Sequence, residues 1–352
     1  MSITAKKLAK LMGLSEAAIS MALNNKPGVS TKTRKRVLEA AEAHGYDFSR
    51  ISPTEDFLSM KGTIYFVVYR KHGAVIPDSP APADTSPFEA ETHVPFFSQL
   101  SAGIDTGCRQ CHYYLNISYL YEEDNITEQL VEWKKLGVKG ILLLGTELDE
   151  YALQPFIECG IPLVLIDNYF ESININCVLI NNVQGAYLAT DYLIRKKRSQ
   201  PGYLCSSYPI TSFEERSDGF YKAIRKNGMS TSRSIVHKLT PSMEGAYSDM
   251  LELLDQNEPL AKCYFADNDQ IAAGAIKALK EKGHKVPGEI SVIGFDDMPL
   301  CNYINPPLTT IHVPKQYMGE LSVKRLDEII STPSACAVKI EIDTELRKRK
   351  SV

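Results

Sequence analysis

From Gly62 onward, short apolar runs alternate with longer amphipathic stretches, and this alternation leaves few folds open to the chain. The runs Ile64–Tyr69, Tyr113–Ile117, Gly140–Leu144, Leu163–Ile166, Cys177–Ile180, Gly202–Cys205, Lys262–Phe265 and Ser291–Phe295 read as strands. Phe97–Cys108, Ile126–Leu136, Val183–Arg195, Phe213–Lys226, Ser242–Leu254, Asp269–Lys282 and Gln316–Ile330 read as helices. Strands that are apolar on both faces must be covered on both faces. Strands separated by helices are joined by crossovers, so parallel sheets with helices on each side are expected. In α/β sheets of this kind ligands bind beyond the C-terminal ends of the strands.

The chain has 352 residues, enough for two or three domains, and 44% of them are hydrophobic against 23% charged, so a large core is expected. No run approaches the roughly 20 apolar residues that cross a bilayer. The first residues, Met1 to Lys7, hold no secretory apolar segment, so a cytoplasmic protein with no membrane partner is expected. The eight cysteines are then expected as free thiols. Cys108 and Cys111 have the spacing of a redox or zinc pair, but no second pair or histidine stands at ligand distance in sequence. Charge is unevenly spread. Residues 1–50 carry nine Lys and Arg and four Asp and Glu, a net +5, while the remaining 302 carry 30 and 39, a net −9. A basic head on an acidic body points the head toward a polyanion, although a merely solvated basic face has the same composition.

Three short helices are legible in that head. Ala5, Leu8, Ala9 and Met12 form one stripe, with Thr4 to cap its start and Gly13 to end it. Ser15 caps a second helix, Glu16 to Leu23. On it Ala18, Ile19, Ala22 and Leu23 share one side and Glu16, Ala17, Ser20, Met21 and Asn24 the other. Ser30 caps a third, from about Thr31 to His44, whose first turns carry Lys32, Arg34, Lys35 and Arg36. Cations there oppose the helix dipole, an arrangement that suits nearby phosphate. Two helices joined by a tight turn form the unit that enters a DNA major groove.

The segment from Leu8 to Tyr46 resembles the DNA-binding head of LacI/GalR regulators. The resemblance rests on Leu8-Ala9, Gly13-Leu14-Ser15, Ile19-Ser20, Leu23-Asn24, Val29-Ser30, Thr33, Arg36-Val37 and Gly45-Tyr46. It implies that the second helix reads the operator through Glu16, Ala17 and Met21. Thr4, Ser15, Ser20, Asn24, Asn25, Lys26, Ser30 and Thr33 are the further expected DNA contacts. Relatives mostly carry a basic residue where Met21 stands. Methionine cannot make the bidentate guanine contact of arginine, so either a divergent half-site read through thymine methyls or simple apolar cover is expected of it.

The resemblance continues through Pro162–Asp167, Asn181-Asn182, Glu215-Arg216, Asn268-Asp269, Ser291–Asp297 and Pro306–Thr310. It implies a core like that of periplasmic sugar-binding proteins, two lobes crossed three times by the chain with a small-molecule effector between them. Carried over, Arg216, Asn268 and Asp296 are expected effector contacts, Phe96 and Phe97 match an aromatic pair that stacks on the ligand, and Asp167 is added because it follows a strand end. Asp accepts from neighbouring hydroxyls, Arg offers a planar fork of donors, and the aromatic pair suits a sugar face. The alternatives are an Arg216–Asp296 ion pair that only closes the cleft, and phenylalanines that only pack.

The expected organisation is a helix-turn-helix domain over 1–49, a hinge over 50–61 and an effector-binding core over 62–345. The N-lobe is placed at about 62–172 and 311–332, and the C-lobe at about 173–310 and 333–345. The hinge departs from the family pattern: Glu55 stands where relatives place a minor-groove leucine. Ser52-Pro53 could start a short helix with Phe57 or Leu58 as wedge, and an ordinary linker fits equally. Residues 72–95, with five prolines and four acidic residues, exceed the family's usual short turn and are expected to form a flap over the effector site. No phosphate-binding, nucleotide-binding or nucleophile-elbow motif occurs. The expectation is therefore a repressor with no catalytic residues, metal or cofactor. Its partners would be double-stranded operator DNA, a carbohydrate effector and a second copy of itself, or three more in a tetramer. A soluble sugar-binding protein or a carbohydrate-processing enzyme is the alternative.

Overall fold

The computed structural model describes residues 3–23, 28–46, 60–71, 95–333 and 336–352, and the chain divides into two compact units, Met1–Lys61 and Gly62–Val352. In the first unit, helices α1 (Ala5–Met12), α2 (Glu16–Leu23) and α3 (Thr31–Ala43) enclose a small core of Leu8, Ile19, Leu23, Val37, Leu38 and Ala41. The sequence-expected punctuation is in place. The Thr4 hydroxyl accepts from the Lys7 N–H at 3.4 Å, that of Ser15 from Ala18 at 3.1 Å, and that of Ser30 from Thr33 at 3.1 Å. Gly13 ends α1 in the left-handed region at φ 66°. The expected contacts Asn24, Asn25 and Lys26, the hinge residues 50–59 and the flap residues 72–94 lie outside the described residues.

The second unit begins with β1 (Gly62–Arg70), α4 (Pro95–Gln110), β2 (Tyr113–Tyr121), α5 (Ile126–Lys135), β3 (Gly140–Leu144), α6 (Glu150–Glu158), β4 (Leu163–Ile166) and β5 (Asn176–Ile180). It continues through α7 (Asn182–Lys197), β6 (Gly202–Ser206), α8 (Thr211–Lys226), β7 (Val236–Leu239), α9 (Met243–Asp255), β8 (Cys263–Ala266), α10 (Asp269–Glu281) and β9 (Ser291–Asp296). It closes with β10 (Thr309–His312), α11 (Lys315–Ser331), β11 (Lys339–Ile342) and β12 (Glu345–Arg347). Among the described residues these strands make two six-stranded sheets, ordered β11-β5-β4-β3-β1-β2 and β12-β10-β9-β8-β6-β7. Every pairing is parallel except β10 with β12.

The two-residue period of a strand sorts the apolar runs to both faces. Ile64, Phe66, Val68, Leu142, Leu144, Val164 and Ile166 join Leu100 and Ile104 of α4 and Met318, Val323 and Leu326 of α11. Val67, Tyr69, Ile141, Leu143, Leu163 and Leu165 join Leu130 and Trp133 of α5 and Leu153 and Phe156 of α6. In the other lobe Tyr203, Phe265, Ile293 and Phe295 face α7 and α8, while Leu204, Tyr264 and Val292 face α9 and α10.

The lobe boundaries differ from those expected. The strand at 176–180 and the strand at 339–342 both pair in the N-lobe sheet, whereas the sequence places both in the C-lobe. The chain therefore crosses near 181, 313 and 343, not near 172 and 332. Composition could not place these crossings, because an apolar strand suits either sheet and only hydrogen-bond register assigns it. The core also extends past residue 345. β12 pairs with β10, and the fully buried Ser351 donates to the Val292 carbonyl at 2.6 Å.

Helices α4 and α11 cross at two glycines. A Cβ on Gly103 would lie 2.0 Å from the Gln316 carbonyl oxygen, and one on Gly319 would lie 2.4 Å from that of Leu100. Backbone cannot yield as a side-chain tip can. Gly103→Val is expected to force the helices apart and lower the unfolding free energy by about 1–3 kcal/mol or more, read as a lower urea midpoint.

Candidate functional site

In the first unit α2 presents a divided surface. Ile19, Ala22 and Leu23 are buried, whereas Ser15, Glu16, Ala17 and Ser20 are exposed. Thr4 and Ser30 are also exposed, and Thr33 is half-buried with its hydroxyl 2.8 Å from that of Ser30. Met21 is half-buried, and a Cβ on Gly28 would lie 2.8 Å from its sulfur, so the thioether lies beside Gly28. Lys6 stands 3.9 Å from Glu16, a contact between two exposed groups with little energetic weight.

In the second unit a cleft opens where the strand ends of the two lobes face each other. It is lined by all six expected residues: Phe96 and Phe97 from α4, Asp167 after β4, Arg216 from α8, Asn268 at the start of α10 and Asp296 at the end of β9. Sequence reading missed Arg70, Thr146, Glu147, Ser212, Phe213, Asp269, Gln270 and Met298, which also line it. Arg70, Thr146 and Glu147 follow the ends of β1 and β3, so the rule that ligands gather at the carboxyl ends of parallel strands would have found them.

Arg216 is held by three elements. Its Nε donates to Asn182 at 2.9 Å, Nη1 to the Asp267 carbonyl, and Nη2 to Asp296 at 3.2 Å. Its guanidinium carbon sits 3.8 Å from the centre of the Phe295 ring. Both members of the Arg216–Asp296 pair belong to the C-lobe, so the pair forms but does not bridge the cleft. The bridges are elsewhere: Ser212 donates to Asp167 at 3.3 Å and Thr211 to Asn168 at 3.0 Å, each from α8 to the loop after β4. Asn268 spends its Oδ1 on capping α10, accepting from the Ile271 N–H at 2.8 Å. Phe97 stacks on Phe66 with centroids 5.5 Å apart. Each phenylalanine thus packs in the core and also faces the cavity.

Burial governs the carboxylates. It pushes Asp167 up to about 6, against the Thr146 hydroxyl and the Arg216 charge. It pushes Asp267 and Asp269 up to about 7, against their hydrogen bonds from Tyr203 and the Ser206 N–H, and from Thr310 and the Met298 N–H. Asp296 is also raised, since burial outweighs Arg216 and Lys315. Asp167, Asp267 and Asp269 hold protons that the unfolded chain releases near pH 4, so their contribution to the folded state is full below about pH 4 and is lost progressively as pH rises to about 6 to 7. Asp269→Asn, neutral at every pH, is expected to flatten the fall of unfolding free energy across that window by up to about 1.4 kcal/mol per pH unit. Urea unfolding at stepped pH checks this, and a slope equal to that of wild type would contradict it.

Residues 4–48 match the family model described as bacterial regulatory proteins, lacI family, and residues 190–352 match that for a periplasmic binding protein-like domain. The chain is 31% identical over 323 residues to the HTH-type transcriptional regulator GalS of Salmonella typhimurium, covering 92% of this chain and 88% of that protein. It is similar to a LacI family transcriptional regulator from Enterococcus faecium with bound ribose, at 25% identity and TM-score 0.67, over 82% of this chain and 98% of the other. The lac repressor dimer bound to operator and the anti-inducer ONPF superposes with TM-score 0.69 at 22% identity, over 100% of this chain and 99% of the other. Among the described residues no group of histidines, cysteines and carboxylates could hold a metal ion, and no helix is long and apolar enough to cross a membrane.

Proposed function

The chain belongs to the LacI family of bacterial regulatory proteins, and on that premise we propose how its two units share the work of a DNA-binding transcriptional regulator. The exposed side of α2 reads the operator: Glu16 and Ala17 meet base edges, and Ser15, Ser20, Thr4, Ser30 and Thr33 meet phosphate or neighbouring edges. The observation that carries this reading is the divided surface of α2, buried at 19, 22 and 23 and exposed at 16, 17 and 20. Met21 lies beside Gly28, and a thioether there cannot make the bidentate guanine contact of a basic residue, so the half-site differs at that position from one read by arginine. The protein acts in the cytoplasm as a homodimeric repressor, with two heads on half-sites roughly one helical turn apart.

The effector is a neutral polyhydroxylated molecule of sugar size. Its cleft holds two guanidinium groups, Arg70 and Arg216, against four carboxyl groups, Glu147, Asp167, Asp269 and Asp296. Carboxyl groups outnumber guanidinium groups there, and their oxygens accept from the hydroxyl groups of a neutral sugar. Phe96, Phe97 and Phe213 supply apolar surface for a pyranose or furanose face. Effector binding changes the lobe contacts at Ser212–Asp167 and Thr211–Asn168, and through them the operator affinity, by a coupling energy of about 1–3 kcal/mol.

Two measurements on the full chain test the reading. Selection from random duplexes followed by gel retardation is expected to yield a pseudo-palindromic site; no retained duplex at low ionic strength would overturn the assignment of α2. A thermal-shift series with neutral sugars, sugar acids and sugar phosphates is expected to raise the melting temperature only with the neutral set.

A further inference from the structure

We propose that Asp297 and Arg349, neither of which lines the cleft, are positioning residues for Asp296, so that the C-terminal segment sets the geometry of the effector site. This rests on reading the cleft as that site. The chain leaves β9 through two consecutive residues in the left-handed region, Asp296 at φ 105° and Asp297 at φ 55°. Side chains with a Cβ disfavour this conformation, so surrounding contacts must hold it. Those contacts are present. The Arg349 Nη2 donates to Asp297 Oδ1 at 2.7 Å, and the His312 Nδ1 lies 2.9 Å from Asp297 Oδ2. Lys315, itself 1% exposed, donates to the backbone carbonyl of Asp296.

Arg349 is in turn fixed. Its Nε donates to Asn302 at 3.0 Å, Nη1 to the Leu308 carbonyl at 3.0 Å, and its backbone N–H to the Thr309 hydroxyl at 2.9 Å. Asp297 is therefore gripped on both carboxylate oxygens by groups that cannot easily move. With the backbone held there, the preceding residue directs its carboxylate at Arg216. His312 and Lys315 flank the crossover between the lobes at 313–314, so the same grip ties Asp296 to a segment that must bend when the lobes move.

The test uses the full chain with 13Cγ-labelled aspartate, the Asp296 signal being assigned by its absence in Asp296→Asn. In Arg349→Met the freed turn lets Asp296 swing from Arg216 toward water, and its titration midpoint is expected to fall toward the ordinary carboxylate value as its burial is relieved. Arg349→Lys, which keeps the cation and one donor, is expected to lie between. Should Arg349→Met fail to fold, Arg349→Lys and Asp297→Asn give the same comparison. D-Galactose, D-ribose and cellobiose serve as binding probes, and any that binds wild type is expected to bind Arg349→Met about tenfold or more weakly. A folded Arg349→Met with an unmoved Asp296 titration would overturn the proposal and leave Arg349 a tether of the tail. A wild-type protein that binds none of the three sugars counts against the sugar reading of the cleft, while the titration still decides the positioning role.

Discussion

The Arg216→Ala variant is expected to lose about 3–5 kcal/mol of unfolding free energy, the cost of breaking a buried ion pair from one side. Arg216 and Asp296 have side chains only 5% and 16% exposed. Removing the guanidinium strips Asp296 of its partner, deprives the Asn182 side chain and the Asp267 carbonyl of donors, and opens a void beside Phe295. Asp167 also loses the cation that offsets its burial. A carboxylate so placed responds by taking up a proton, so the deficit should be largest above about pH 7 and smaller toward pH 5. Urea denaturation at the two pH values measures it. Arg216→Lys is expected to recover little, because an ammonium cannot serve three acceptors in one plane. The same variant should lose the thermal response to any sugar that stabilises wild type. A loss under about 1 kcal/mol would mean that Asp296 finds water or another donor when Arg216 is gone.

The second large effect concerns ionic strength. Duplex affinity is expected to drop about 10³- to 10⁵-fold between about 50 and about 200 mM salt, as for proteins that make roughly six to ten phosphate contacts. The head supplies the cations: Lys6, Lys7, Lys10, Lys32, Lys35 and Arg36 are exposed, and a dimer would carry two sets. Lys32 and Lys35 lie in the first turns of α3, where the helix dipole works against a cation unless an anion is near. Lys32→Ala should weaken all sequences alike and lessen the log–log salt slope by about one per head. Glu16→Ala should instead change which sequence is selected and leave the slope nearly unaltered. Fluorescence anisotropy on the selected duplex at stepped salt separates the two. A slope near zero would return the chain to the class of plain sugar-binding proteins.

Much of the head was readable from sequence because its cues are local. A cap such as Ser15 satisfies an N–H three residues on, and the angular spacing that buries Ile19 and Leu23 leaves Glu16 and Ser20 outside whatever the rest of the chain does. The alternation of apolar strands and amphipathic helices likewise required parallel sheets covered on both faces. Five of the six expected cleft residues come by resemblance rather than from their own chemistry, and Asp167 comes from its place after a strand end. Nothing about Asn268 in sequence says that its side chain spends one atom on a cap while standing at a cavity wall.

Contacts within a turn or two of one another settle the elements and the faces they bury, and the first fifty residues carry the basic charge of the head in their composition. Long-range pairing settles which sheet each strand joins, hence the crossings near 181, 313 and 343, and brings Arg349 to Asp297 across 52 residues. It also keeps the Arg216–Asp296 pair within one lobe. The physical reason is range. Capping and periodicity act along the chain, whereas strand order, burial of charge and the raised proton affinity of Asp167 and Asp269 depend on neighbours that folding alone brings within hydrogen-bond distance.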